Sequence, residues 1–329
     1  MSKNQSLPPN STVDPYSHLQ IVQNPDGSIT RLFQLPTIAA APDKEHLKVL
    51  TKDIPINPTH NTWIRIFLPA QALNQNSSST TKLPLIIYFH CGGFILLRAS
   101  DSFNHDFCCD LAAQVSAVVV SLEYRLAPEH RLPAAYDDAV EALHFIKGSD
   151  DVWLRDFADL SKCFLMGTSA GGNIAYHAGF RASLAVDELE PLKIHGLLLH
   201  HPFFGGAKRT ESELRLVNNP TLPLSSSDLM WDLALPIGVD RDHKYSNPTV
   251  GDGPDNCDPI ISFGWRIFIA GCDGDPLIYR QVELAEKLKK KGVEVVAKFG
   301  EGDCHAVELV DKSKAEVLFN LLKDFIEQN

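Results

Sequence analysis

The hydrophobic positions of this chain fall into two kinds of segment that alternate. Short, nearly unbroken apolar runs stand at LPLIIYFH (83–90), AVVVSLEY (117–124), KCFLMG (162–167), IHGLLLHHP (194–202), WRIFIAG (265–271) and VEVVAKF (293–299). Their length and bounding turn residues predict buried strands. Between them lie stretches whose apolar residues recur every three or four positions, at 103–116, 134–149, 277–292 and 315–329. That period predicts amphipathic helices, and Gly292 ends one of them. A helix start rich in small residues follows 162–167 at once. Strand and helix in alternation predict an α/β fold, a mostly parallel sheet with helices on both faces.

Three regions break this rhythm. Residues 1–20 are polar and rich in Pro and Ser, a loose arm, and 20–33 reads as a hairpin turning at Asn24-Pro25-Asp26-Gly27. Residues 59–69 alternate as a strand does, and 71–82 form a polar loop. Residues 205–245 mix charges, three serines and the apolar patch 228–236, which predicts a cap inserted between core elements. The length of 329 residues suits one domain spanning 1–329, with the surplus spent on arm and cap.

Composition narrows the class. With 30 basic and 41 acidic residues the net charge is −11, which argues against nucleic acid as a partner, since phosphate binding needs a basic face. No apolar run reaches the roughly 18 residues that span a bilayer. The first twenty residues lack the apolar core of a secretion signal. Asn10 and Asn76 head glycosylation patterns that are then chance matches. The seven cysteines show neither metal-ligand spacing nor a disulfide pattern, so no metal is expected. A cytoplasmic, reducing setting follows.

The sharpest chemical signal is Gly167-Thr168-Ser169-Ala170-Gly171 between a buried strand and a helix. This G-x-S-x-G turn holds a serine proud of the sheet, with the N–H of Ala170 aimed where a carbonyl oxygen would become an anion. Upstream, His90-Cys91-Gly92-Gly93-Phe94 also follows a buried strand. The amides of Gly92 and Gly93 are the expected second source of oxyanion donors, with His90 structural. Asp275 follows the strand at 265–271 and His305 the strand at 293–299. The helix and strand between them form a right-handed crossover, which brings both loops to the C-terminal edge where such sheets place their sites. Ser169 is therefore the expected nucleophile, His305 its base and Asp275 the acid that orients the base. Asp273 is the rival acid, and Asp275 is favoured because it precedes proline. Phe94, Ile95, Phe203, Phe204, Leu229 and Trp231 are candidates for the acyl or alcohol pocket.

The order Ser, Asp, His is that of α/β-hydrolases. The long block from Tyr124-Arg125-Leu126-Ala127-Pro128-Glu129 through Leu132-Pro133-Ala134-Ala135-Tyr136-Asp137-Asp138, with GTSAGGN, HCGGF and the GDP segment, resembles the plant carboxylesterases. These belong to the hormone-sensitive-lipase-like branch of the α/β-hydrolases. The resemblance covers nearly the whole chain. It implies an eight-stranded sheet, a cap built from about 1–45 and about 204–245, and a serine carboxylesterase acting on small to medium esters. It implies no cofactor, no metal, no membrane partner and a monomeric or weakly associated enzyme. The block itself is expected to brace the oxyanion loop and the elbow. Three positions depart from the family pattern: Cys91 replaces a glycine, Thr168 an acidic residue, and Tyr279 a second aspartate. Relatives that have become lyases, cyclases or transacylases supply an alternative reading. Non-catalytic receptors of this fold have lost the histidine that is present here as His305. Cys304, beside it, is a weaker candidate for a redox-sensitive thiol.

Overall fold

The apolar runs pair as their lengths suggest. The computed structural model describes residues 10–43, 47–74, 81–251 and 256–328. Asn76 and half of the polar loop lie outside these residues. The strands are β1 (Ile21–Gln23), β2 (Ile29–Arg31), β3 (Val49–Asn57), β4 (Thr62–Pro69), β5 (Leu83–Phe89), β6 (Val118–Glu123), β7 (Ala158–Thr168), β8 (Ile194–His200), β9 (Arg266–Cys272) and β10 (Glu294–Gly300). The first two form the expected hairpin around Gly27. The other eight form one sheet in the order β10-β9-β8-β7-β5-β6-β4-β3. The six strands from β5 and β6 out to β10 run parallel, while β4 pairs antiparallel with β6 and with β3.

Successive strand residues face opposite sides, so each central strand must be apolar on both. The helices that cover them are α1 (Pro15–Leu19), α2 (Ser102–Val115), α3 (Ala134–Lys147), α4 (Val152–Phe157), α5 (Ala170–Ser183), α6 (Val186–Leu189), α7 (Glu211–Arg215), α8 (Leu224–Ala234), α9 (Asp258–Ser262), α10 (Ile278–Lys290) and α11 (Lys312–Glu327). Ile86, Tyr88, Phe164, Met166 and Phe268 pack under α2 and α11. Their neighbours Leu85, Ile87, Leu165, Ile267 and Ile269 pack on the other face, with α3, α5 and α10.

Several elements escape the sequence pattern, among them β3, α4 and the short helix α1 within the stretch expected to be a loose arm. β3 carries Lys52, Asp53 and Pro55 among its apolar residues, and it lies at the sheet edge, where charge and proline are tolerated. Asp53 accepts from Arg65 of β4 at 2.6 and 2.7 Å, so polar pairing joins the last two strands. α4 is only six residues long and is capped by Asp151, whose side chain accepts from the N–H of Trp153. A further element, α8, begins four residues before the patch expected at 228. Its first turn holds Ser225, Ser226 and Ser227, which are buried rather than in a surface loop. The N-terminal arm meets this inserted region: Thr12 donates to Asn218 at 2.9 Å, and Ser225 donates to the carbonyl of Val13 at 2.9 Å.

Candidate active site

The loops after β5, β7, β8, β9 and β10 all leave the C-terminal edge of the parallel strands, and every expected site residue lies on one of them. Ser169 sits between β7 and α5 with φ 56° and ψ −117°, a conformation that a side chain rarely adopts. Close packing imposes it. A Cβ on Gly171 would stand 1.8 Å from the carbonyl oxygen of Phe89, and one on Gly167 would stand 2.0 Å from that of Gly171. Backbone cannot yield there as a flexible side chain could. Gly171→Ala is therefore expected to lower stability by about 3 kcal/mol, the upper end of overpacking costs, as a fall in melting temperature would register.

His305 Nε2 lies 2.9 Å from Ser169 Oγ, and His305 Nδ1 lies 2.8 Å from Asp275 Oδ2. The carboxylate can only accept, so Nδ1 carries a proton and Nε2 turns a lone pair to the serine. Asp275 is fully buried. Burial opposes its charge, but His305, and hydrogen bonds from His201 and His305, outweigh burial and hold the carboxyl well below the usual range. Its other oxygen accepts from the N–H of Leu277 at 2.9 Å. The rival Asp273 turns elsewhere and accepts from the N–H of Gly302 at 2.6 Å.

The glycine loop leaves β5 at the same edge of the sheet as the loops that carry this trio. Gly92 and Gly93 have φ of 116° and 61°, and among the described residues none accepts from their N–H groups. The carbonyl of Gly92 is taken by Ile95 and Leu96, at 3.1 and 2.9 Å, which closes the loop. Ala170 opens α5, where the first helical N–H groups have no intrahelical partner.

The long block does brace these parts. Tyr124 donates to the carbonyl of His90 at 2.9 Å, and the N–H of Ala127 to that of Phe94 at 2.9 Å. Arg125 grips the buried Asp138. Tyr136 donates to Asn173 at 2.7 Å, and the Asn173 N–H donates to the carbonyl of Ser169 at 3.1 Å. His90 stacks on Tyr124 with centroids 4.1 Å apart. Burial pushes its imidazole down to about 4, which suits a neutral structural ring.

A protein-family model for the α/β-hydrolase fold matches residues 86–309. Carboxylesterase 20 of Arabidopsis thaliana is 52% identical over 320 residues, covering 97% of this chain and 98% of its own. A 3-O-acetylpapaveroxine carboxylesterase of Papaver somniferum is 46% identical, covering 95% of this chain and 97% of its own. The chain belongs to the plant carboxylesterase family of α/β-hydrolases. Solved structures agree on the fold: an esterase of Pyrobaculum calidifontis superposes with a TM-score of 0.67 at 26% identity, covering 84% of each chain. A Rhizomucor miehei esterase reaches 0.72 at 21% identity, covering 86% of this chain and 84% of its own.

Within this carboxylesterase-family chain, each departure has a structural setting. Cys91 is buried beside Asn104, and burial pushes its thiol up to about 12, so it behaves as a small apolar residue. Thr168 accepts from Tyr88 at 2.9 Å and lies 2.9 Å from His200 Nδ1. Tyr279 is 43% exposed and points to Glu211. Of the pocket candidates, Phe94, Phe203 and Trp231 cluster, Phe203 stacking on Trp231 at 4.7 Å, while Phe204 packs on Tyr176 instead.

The sequence reading missed His201 and Gln281, which contact Asp275, and His200 and Glu308, which lie behind them against His201. His201 Nδ1 lies 2.8 Å from Asp275 Oδ2, and Gln281 donates to the same oxygen at 3.0 Å. In the sequence both histidines read only as the end of a strand, because no motif spans three separate loops. Groups with metal-ligating chemistry do gather here, namely His200, His201 and Glu308, and His201, Asp275 and His305.

Proposed function

We propose that this chain is a serine carboxylesterase in which Ser169 is the nucleophile, His305 the base and Asp275 the orienting acid. The observation that carries the reading is the pair of contacts on His305, 2.9 Å to Ser169 Oγ and 2.8 Å to Asp275 Oδ2. His305 Nε2 takes the proton of Ser169 as the oxygen attacks the ester carbonyl. The N–H groups of Gly92, Gly93 and Ala170 hold the tetrahedral oxyanion, each donor contributing about 3 kcal/mol to the transition state. His305 returns the proton to the departing alcohol. Water, activated by the same imidazole, then releases the acid and restores the serine.

The substrate is a small to medium carboxylic ester, and no cofactor is needed for any step. The chain works as one hydrolase domain, 1–329, with a cap from about 1–45 and about 204–245. Contacts between arm and insertion support that cap. The resemblance to the plant carboxylesterases supports a monomer. Seven free cysteines support a cytoplasmic setting. No described helix is long and apolar enough to cross a membrane.

Turnover of p-nitrophenyl acetate and butyrate, with acid and alcohol identified as the only products, tests the reading. A product with a new double bond and no trapped acyl-enzyme would replace it with elimination. The cap also sets a length limit. Ser169 is only 6% exposed, and a Cβ on Gly93 would stand 2.2 Å from the sulfur of Met230, so the thioether rests on the oxyanion loop. Met230→Ala is expected to raise the ratio of octanoate to acetate turnover by about tenfold, the order set by differences in pocket filling. A chain-length series of esters measures it.

A further inference from the structure

Behind the triad lies a second polar layer that takes no direct part in the proton transfers of the hydrolytic cycle. In β8 successive side chains should face opposite sides of the sheet. At its end His201 takes φ 44°, in the left-handed region, with its N–H on the carbonyl of Ala270 at 2.7 Å. The alternation fails there, and the rings of His200 and His201, 4.8 Å apart and nearly perpendicular, both approach Glu308. His200 Nε2 lies 2.9 Å and His201 Nε2 3.4 Å from Glu308 Oε2. Both imidazoles are fully buried, and the glutamate is mostly so.

The charge states follow from who can donate. Asp275 Oδ2 accepts from His305 and from His201, so the Nδ1 of His201 bears a proton. Its Nε2 faces a second buried carboxylate, and a lone pair there would meet another lone pair. His200 differs. Tyr88 donates to Thr168 Oγ1, which leaves the threonine proton for His200 Nδ1. The remaining nitrogen of His200, Nε2, lies 2.9 Å from Glu308 Oε2. Burial lowers the affinity of His200 for a further proton. For His201 burial also opposes charge, but the hydrogen bond to Asp275 and the nearby Glu308 carboxylate outweigh it and lift the imidazole to about 9. Glu308 is held well below the ordinary carboxylate range, because the two histidines outweigh its burial.

We propose that His201 is a positioning residue for hydrolysis, an imidazolium shared between Asp275 and Glu308 that holds the Asp275 carboxylate on His305 and offsets its charge. This rests on the reading of His305 as the base. Counting Asp275, Glu308 and His201 as charged and His200 as neutral, the cluster carries one net negative charge while His305 is neutral. It becomes neutral when His305 takes the serine proton, so the second imidazolium of the transition state is balanced in advance. The groups facing His201 are Asp275, Glu308, His200 and His305, with the Cys272 thiol close to both carboxylates. Without its charge, two carboxylates would act on His305 unopposed. They would keep the base protonated to higher pH.

The test compares the acid limb of kcat/KM in wild type, His201→Gln and Glu308→Gln, with thermal unfolding to confirm that each variant folds. For His201→Gln the limb is expected to move to higher pH by about one unit, the order expected for a charge at this separation, with kcat lowered more than KM is changed. For Glu308→Gln, which removes a negative charge, it is expected to move to lower pH. A residue with a merely structural role would lower activity without opposite shifts, and limbs that stay put or move together would overturn the proposal. Imidazole nitrogen NMR of the wild type decides independently of turnover and of variant folding. His201 should remain doubly protonated at pH 8, and a neutral ring there would overturn the proposal even if esterase activity were high. Stoichiometric zinc in the purified protein would overturn it as well, since metal would then stand where the proton is assigned.

Discussion

Ser169→Ala is expected to cut ester turnover by about 10⁴-fold or more, the order seen when a nucleophile is removed from an intact triad. The alanine fits the elbow without new strain, because the tight approach of backbone occurs at Gly167 and Gly171 and not at the serine side chain. His305 would keep Asp275 but lose its partner at 2.9 Å. Binding should therefore survive while chemistry stops, with KM little changed. A serine-reactive phosphonate should label wild type at one equivalent and leave the variant unlabelled. Residual turnover within tenfold of wild type would remove Ser169 from the mechanism.

Asp275→Asn is expected to lower kcat by roughly 10⁴-fold, because an amide in place of the acid lets the imidazole settle in the wrong tautomer. The effect should be compounded here. Asp275 Oδ2 holds both His305 and His201 at 2.8 Å, and an asparagine cannot satisfy two N–H donors and Gln281 as well. Asp273→Asn is the control. That side chain accepts from Gly302 and touches no part of the trio, so its rate should stay within about threefold of wild type. Steady-state rates for the two variants side by side discriminate between the acids. Equal losses would show that the loop as a whole matters and that Asp275 has no separate role.

Legibility differed sharply between elements. The buried runs that became β5 to β10 were readable because a strand apolar on both faces leaves an unbroken pattern. β3 was not, since an edge strand shares its residues between core and water and can keep Lys52, Asp53 and Pro55. The start of α8 was hidden for a related reason. Serines are poor helix formers in isolation, and burial under the arm, through contacts such as Ser225 with Val13, overrides that preference.

Local sequence determined the parts of the site that depend on neighbours in the chain. Gly167 suits the elbow because a Cβ there would stand 2.0 Å from the carbonyl oxygen of Gly171, four residues on, whereas the demand on Gly171 comes from Phe89 of the neighbouring strand; the strand-then-loop pattern places Asp275 and His305 at the same sheet edge as Ser169. Tertiary structure alone decided that the buried carboxylate would be shared. His201 reaches Asp275 and Glu308 because β8 lies beside β9 in the sheet and because its backbone turns into the left-handed region. Partners that stand 74 residues apart in the chain, as His201 and Asp275 do, leave no spacing to read. Their protonation states arise only once burial has removed the water that would otherwise screen each charge.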